Sequence, residues 1–322
     1  MAERAILQSP AARLALLGLL ALLACALFLT LGARGSWSFV LAYRGQKLAT
    51  LVIVAVAIAV SSVLFQTVSE NRILTPALMG FDALYALLQT ALVFTLGSAA
   101  VGAIEPRLLF LGEVGAMMGF SLLLYRGLFS GAVRSLHLLM LVGIVSGILF
   151  RSLSGLMQRL IDPNEFVVLQ DRLFASFNTV PGDLLLVAAI LVAASLVPVA
   201  RNLAAFDVLT LGRSAAIGLG VDHRASVRMV LPLVAVLVSV STALVGPVTF
   251  FGLLVASLAY RLTPSHRHVH ILPAAALVAI LCLVAGQTLL ERVFAFDTAL
   301  GIIVEFAGGL VFLVLLLRGA AR

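Results

Sequence analysis

Charge is scarce in this 322-residue chain: only 11% of its residues are Asp, Glu, Lys or Arg, against roughly 25% in soluble domains. No polar interval between its apolar runs is long enough to fold alone, which argues against a catalytic domain within the chain. Thiols are scarce too. Cys25 and Cys282 are the only two, each inside an apolar run, so a disulfide framework is excluded by number. There is no Gly-rich loop ending in Lys-Ser or Lys-Thr and no Ser/His/Asp arrangement in a soluble pocket, so the chain is not expected to hydrolyse ATP itself or to carry a cofactor. The formal charge of +7 comes without a basic stripe interleaved with aromatics, and nucleic acid is not an expected partner.

Apolar sequence is what is present, at 62% of residues with a mean hydropathy of +1.19. A hydrocarbon core of about 30 Å needs about 20 apolar residues per helix. Ten runs qualify: Leu14 to Leu31, Leu48 to Val68, Leu78 to Leu96, Leu108 to Tyr125, Leu136 to Leu156, Leu184 to Ala200, Met229 to Leu244, Pro247 to Leu262, Ile271 to Leu290 and Leu300 to Leu317. The expected fold is all-α, one polytopic membrane domain over residues 1–322, in contact with lipid. Lys and Arg test the orientation. With both termini inside, thirteen fall on inside segments, Arg4 and Arg134 among them, and eight outside, Arg34 among them, in the sense of the positive-inside rule. Leu22-Leu23-Ala24-Cys25 resembles a lipoprotein cleavage box, but the apolar run continues past Cys25 and further spans follow, so processing is not expected.

The longest polar interval in the C-terminal half is Arg201 to Arg228, placed inside by the count. Asp207 is a fair helix N-cap and Gly218 or Gly220 a fair stop, with Val208, Leu211, Ala215 and Leu219 recurring between them at helical spacing. The pattern predicts a short amphipathic helix on the membrane surface. It is either an interfacial anchor or a contact face for a cytoplasmic partner. Elsewhere, Pro163 is expected to end a helix continuing from the fifth span, and Asn164 to Asp183 to form the longest outside loop. His266, His268 and His270 alternate in an inside turn. Such spacing could suit a metal, but with no Cys or carboxylate beside them in sequence a membrane-surface turn is the better reading. His137 and His223 are isolated and read as structural.

Three motifs carry a family resemblance. Leu211-Gly212, followed six residues later by Gly218-Leu219-Gly220-Val221, resembles the coupling loop of FecCD-type permeases, the membrane subunits of iron-siderophore and cobalamin ABC importers. Asn71, Leu74, Pro76 and Gly80 fit the signature after that family's second span, with Arg72 in place of a usual proline and Phe81-Asp82-Ala83 in place of small and hydroxyl residues. Gly246, Pro247, Phe250 and Gly252 fit its Gly-Pro-x-x-Phe-x-Gly-Leu motif. Departures at Arg72, Ala299 and Leu310 suggest a divergent ferric-siderophore subgroup with the type II importer fold.

The resemblance implies roles for residues. Leu211, Gly212, Arg213, Ser214, Ala215, Gly218 and Gly220 would enter a groove of a separate ATPase subunit. Arg44, Lys47 and Arg292 would meet glutamates on the two lobes of a periplasmic siderophore-binding protein, although headgroup contact explains them as well. Spans five and ten would line the path, with Arg151, Ser154 and Glu305 as pathway or gating candidates. A second permease subunit, expected to be a paralogue though possibly identical, would complete it in the cytoplasmic (inner) membrane. Glu113 and Glu305 lie inside spans, where a charge costs about 2.5–3.5 kcal/mol and must face a cavity, a partner or a basic group. Together with Asp82 they would serve the rival reading, an ion-coupled secondary transporter.

Overall fold

The computed structural model describes residues 9–32, 36–129, 136–178, 180–292 and 300–320. Arg4, Arg34, Arg134, Ala299 and Arg322 lie outside them, as do the side chains of His137 and Arg318. The described residues form helices and no strand. They are α1 (Pro10–Thr30), α2 (Trp37–Ser69), α3 (Phe81–Leu96), α4 (Ser98–Ala103), α5 (Pro106–Phe129), α6 (Leu136–Gln158), α7 (Pro163–Leu173), α8 (Gly182–Arg201), α9 (Leu203–Leu209), α10 (Arg213–Gly218), α11 (His223–Val245), α12 (Phe251–Leu262), α13 (His268–Arg292) and α14 (Leu300–Ala320). All-helical architecture is what a chain this apolar permits, because a helix satisfies its own backbone hydrogen bonds.

Each of the ten apolar runs falls mainly on one of these helices, although the third run begins in the turn before α3 and the eighth in the turn before α12. Among the described residues seven helices are long and apolar enough to cross a membrane, and α3 and α12 are shorter. The helices α2 and α11 form the centre, with two thirds of their apolar windows buried, against 17% for α1. Helix α2 packs on both α11 and α13, and α1 lies outside α13. A single apolar cluster runs through these helices, from Leu17 to Val304.

Small residues permit the closest approaches. A 3-10 turn, Pro76–Met79, follows α2 and ends at Gly80 with φ +90°. A Cβ at Gly80 would sit 3.0 Å from the carbonyl oxygen of Gly143 and 3.1 Å from the Cα of Gly147, so this turn seats directly on the α6 backbone. Gly252 lets α12 close on α2, where a Cβ would collide with the Ser62 hydroxyl. Gly246, φ +97°, lies against the backbone of Ala175.

Element ends depart from the sequence expectation in three places. Pro163 does not end a helix; it opens α7 after the Asp162 cap, whose carboxylate accepts from the amide of Asn164. Much of the expected outside loop is therefore helical. The seventh span begins at His223 rather than Met229, because Asp222 caps α11 by accepting from Ala225 N–H. The helix expected between Asp207 and Gly218 is two helices, α9 and α10, broken at Gly212 with φ +89°.

Candidate functional site: the coupling segment and the two ends of the bundle

Helix ends gather into two sets. At one, the Arg13 guanidinium donates to the Leu262 carbonyl oxygen, Arg72 lies over the Tyr260 ring at 4.8 Å, and residues 70–72, 207–213 and 260–268 meet. At the other, Arg44, Lys47, Asn178, Glu291 and Arg292 meet, with Arg107 ion-paired to Asp183 near by. Helices that cross a membrane in alternating directions require this division.

The coupling segment is braced from behind by two carboxylates. Asp207 lies inside α9, not at a helix start, and the helix it caps is α13: its Oδ1 accepts from His268 N–H at 2.6 Å and lies 2.8 Å from His268 Nδ1. The other ring nitrogen of His268, Nε2, lies 2.8 Å from Thr67 Oγ1 on α2. One buried imidazole thus ties α9, α13 and α2 together. The second brace is Glu70, held just beyond α2 in left-handed backbone with φ 52°, whose Oε1 accepts from Arg213 N–H at 2.9 Å at the start of α10. Both carboxylates fill orphan donor positions at helix N-termini, where negative charge is also favoured by the helix dipole.

The front of the segment is apolar and uncovered. Leu211, Ile217 and Leu219 are 62%, 55% and 63% exposed, while Ala216 is buried. Leu211 and Leu219, expected on one helix face, instead flank α10 at its two ends. Arg213, Ser214, Ala215, Gly218 and Gly220 are exposed with them. Behind the brace, a cleft of about 510 Å³ is lined by Glu70, Arg72, Gly212, Tyr260, His266 and His268 among others. The three alternating histidines do not converge: His268 is buried and His270 faces Ser265. Among the described residues no group of three potential metal ligands occurs.

At the opposite end the three expected docking cations have other partners. Lys47 is buried, 6% exposed, and its Nζ lies 2.9 Å from Glu291 Oε1, which also accepts from Gln287. Lys47 is therefore not a surface cation. The Arg44 guanidinium donates to the carbonyl oxygens of Phe28, Leu29 and Leu31, and Arg292 donates to that of Leu31. Both arginines cap the last turn of α1, where cations are stabilising. Arg292 remains exposed and Arg44 half-buried.

Between the ends, Asp82 and Glu305 grip one residue. Asp82 Oδ2 accepts from Thr249 Oγ1 at 2.6 Å, and Glu305 Oε1 accepts from Thr249 N–H at 3.2 Å. The start of α3 and α14 are thereby linked through the turn after Gly246-Pro247. Arg151 lies on the exposed face of α6, its guanidinium beside Gly147. Ser154 is buried among helices, off that face. Glu113 stands elsewhere, accepting from Gln89 Nε2 at 2.6 Å. Sequence reasoning missed Glu70, Thr67 and Thr249, and their local sequence gives no signal for contacts to residues far along the chain.

Residues 13–318 match the model of the FecCD transport family. The chain belongs to the FecCD transport family. Its relatives include the petrobactin import system permease protein YclO of Bacillus subtilis, 46% identical over 95% of this chain and 97% of that protein. The petrobactin import system permease protein FatC of Bacillus anthracis is 38% identical over 86% of this chain and 78% of its own length. The hemin transport system permease protein HmuU of Yersinia pestis is 28% identical, covering 88% and 84%. Among solved structures, a metal-chelate type ABC transporter in an inward-facing conformation superposes with a TM-score of 0.84 at 21% identity, covering 96% of this chain and all of that one. This FecCD protein is therefore an ABC transporter permease with the type II importer fold, a multi-span membrane protein.

Proposed function

We propose that the chain is the permease subunit of an importer that carries a ferric siderophore across the cytoplasmic (inner) membrane, driven by a separate ATP-hydrolysing subunit. The observation that carries this reading is the double brace. Asp207 and Glu70 fix α9 and α10 to the ends of α13 and α2, while Leu211, Ile217 and Leu219 stay open to a partner. A push on α10 then reaches two long helices through hydrogen bonds rather than being lost in a pliable loop. The siderophore relatives support the cargo class. A second permease subunit, a paralogue or an identical chain, would complete the path along the faces bearing Arg151 and Glu305. A siderophore-binding protein would deliver the chelate at the end where Arg44 and Arg292 are found. The cargo crosses unchanged, so no strong metal ligands are required of the path.

Gly212→Glu tests the lever. A side chain at φ +89° is strained, and its Cβ would lie 3.6 Å from Glu70 Oε2, adding like charge beside the brace. Uptake of labelled ferric siderophore by the assembled transporter falls at least tenfold, with the permease still inserted in the membrane. Unchanged uptake overturns the lever. Uptake that survives ATP depletion but is abolished by a proton uncoupler transfers the protein to the ion-coupled class.

A further inference from the structure

A cavity of about 520 Å³ opens between α3, α5, α7, α8 and α11, at the end of the bundle that holds Pro106 and Pro181. Asp171, Phe174 and Ser176 form a wall it shares with a smaller cavity beside Asn178 and Gln287. It is apart from the Asp82–Thr249–Glu305 junction and from the coupling segment, and neither proposed role uses it.

Two buried acceptors line it. Glu113 on α5 is 5% exposed, and among the described residues no Lys, Arg or His forms an ion pair with it. Arg172 lines the same cavity without reaching ion-pair distance. Gln89 on α3 is 2% exposed; its Nε2 donates to Glu113 Oε1, and its Oε1 is buried with no partner. An unpartnered buried acceptor costs about 1–3 kcal/mol, and a carboxylate held within a span adds to that. Water could satisfy the amide oxygen, but it brings no positive charge to the carboxylate. A species that brings N–H donors together with positive charge answers both. The remaining walls include Val101, Leu109, Phe110 and Leu244, which suit a short alkyl chain.

We propose that this cavity is a binding site for a small organic ammonium ion, its N–H groups donated to Glu113 and to Gln89 Oε1 and its alkyl chain set against the apolar wall. Asp171 and Arg172 line the same cavity with opposite charges, and the apolar walls suit an alkyl chain that carries one ammonium group rather than a polyamine. The site lies between helices and forms without a second chain, so the full-length protein in detergent suffices to test it.

Thermal unfolding is followed against rising propylammonium chloride, with sodium chloride at matched ionic strength and tetramethylammonium chloride, which has no N–H, as comparisons. Saturable stabilisation by propylammonium alone is expected. Its half-saturating concentration rises at least tenfold in Glu113→Gln, which keeps the side chain's shape and loses its charge. Gln89→Met, which removes the free acceptor, raises it severalfold and serves if Glu113→Gln fails to fold. No saturable stabilisation of the unaltered protein overturns the proposal, as does an equal response to sodium or tetramethylammonium. Equal half-saturation in the unaltered protein and in the variant that folds overturns it as well.

Discussion

The two ends of the bundle both use charge, in opposite ways. At the end that holds Lys47, charged groups are spent inward: Lys47 pairs with Glu291, and Arg44 and Arg292 cap α1. At the end that holds the coupling segment, Asp207 and Glu70 reach between elements to fix helix starts, and leucines and an isoleucine are left outside. The first arrangement closes a surface, and the second fixes one that is left apolar and exposed. A charged residue near the end of a span is therefore not by itself a docking residue; what its charge already faces decides.

The largest effect expected from breaking this contrast is at Lys47. Lys47→Met leaves the largely enclosed Glu291 without its cation, a loss of about 3 kcal/mol, while Lys47→Met combined with Glu291→Met restores most of it. Thermal unfolding of the three proteins measures the difference, and equal losses in single and double variants would break the pairing. At the other end, Asp207→Ala removes a helix cap and a partner of the buried His268, and costs about 1–3 kcal/mol. Here transport falls by more than the stability loss accounts for, since the brace itself is cut. Uptake per inserted molecule separates the two.

The exposed front should behave differently from the brace. Leu211→Ser and Leu219→Ser each leave unfolding unchanged within about 0.5 kcal/mol, yet weaken capture of the ATPase subunit by about fivefold, the worth of roughly one or two buried methylenes. A pull-down with the ATPase subunit measures this, and unchanged capture would return the segment to the membrane-anchor reading. The smallest effect is at Arg292. Arg292→Gln exchanges an exposed charged cap for a neutral one and costs under about 1 kcal/mol. A loss as large as that at Lys47 would erase the distinction between buried and exposed cations at this end.

Particular residues show how much of this was legible beforehand. The ten apolar runs could be counted because membrane length and helical hydrogen bonding leave little else for such sequence to do. Gly80 and Gly246 stood out as members of family motifs, and both positions have positive φ. Asp207 was readable as a cap but not assignable to its helix, since a cap motif names a donor type and the donor lies 61 residues away. Lys47 looked like a surface cation because sequence places it at a span end. Its burial comes from α13, whose Glu291 lies 244 residues on. Glu113 and Glu305 were alike as charges within spans, and only packing separated them, one into a cavity with Gln89 and the other onto the backbone of Thr249.

Sequence alone determined that the chain crosses a membrane repeatedly as helices, because hydropathy and period are local properties that each run carries in itself. Tertiary structure decided which charges are exposed and which are consumed, because an ion pair or a cap depends on groups that meet only after helices far apart in the chain have packed.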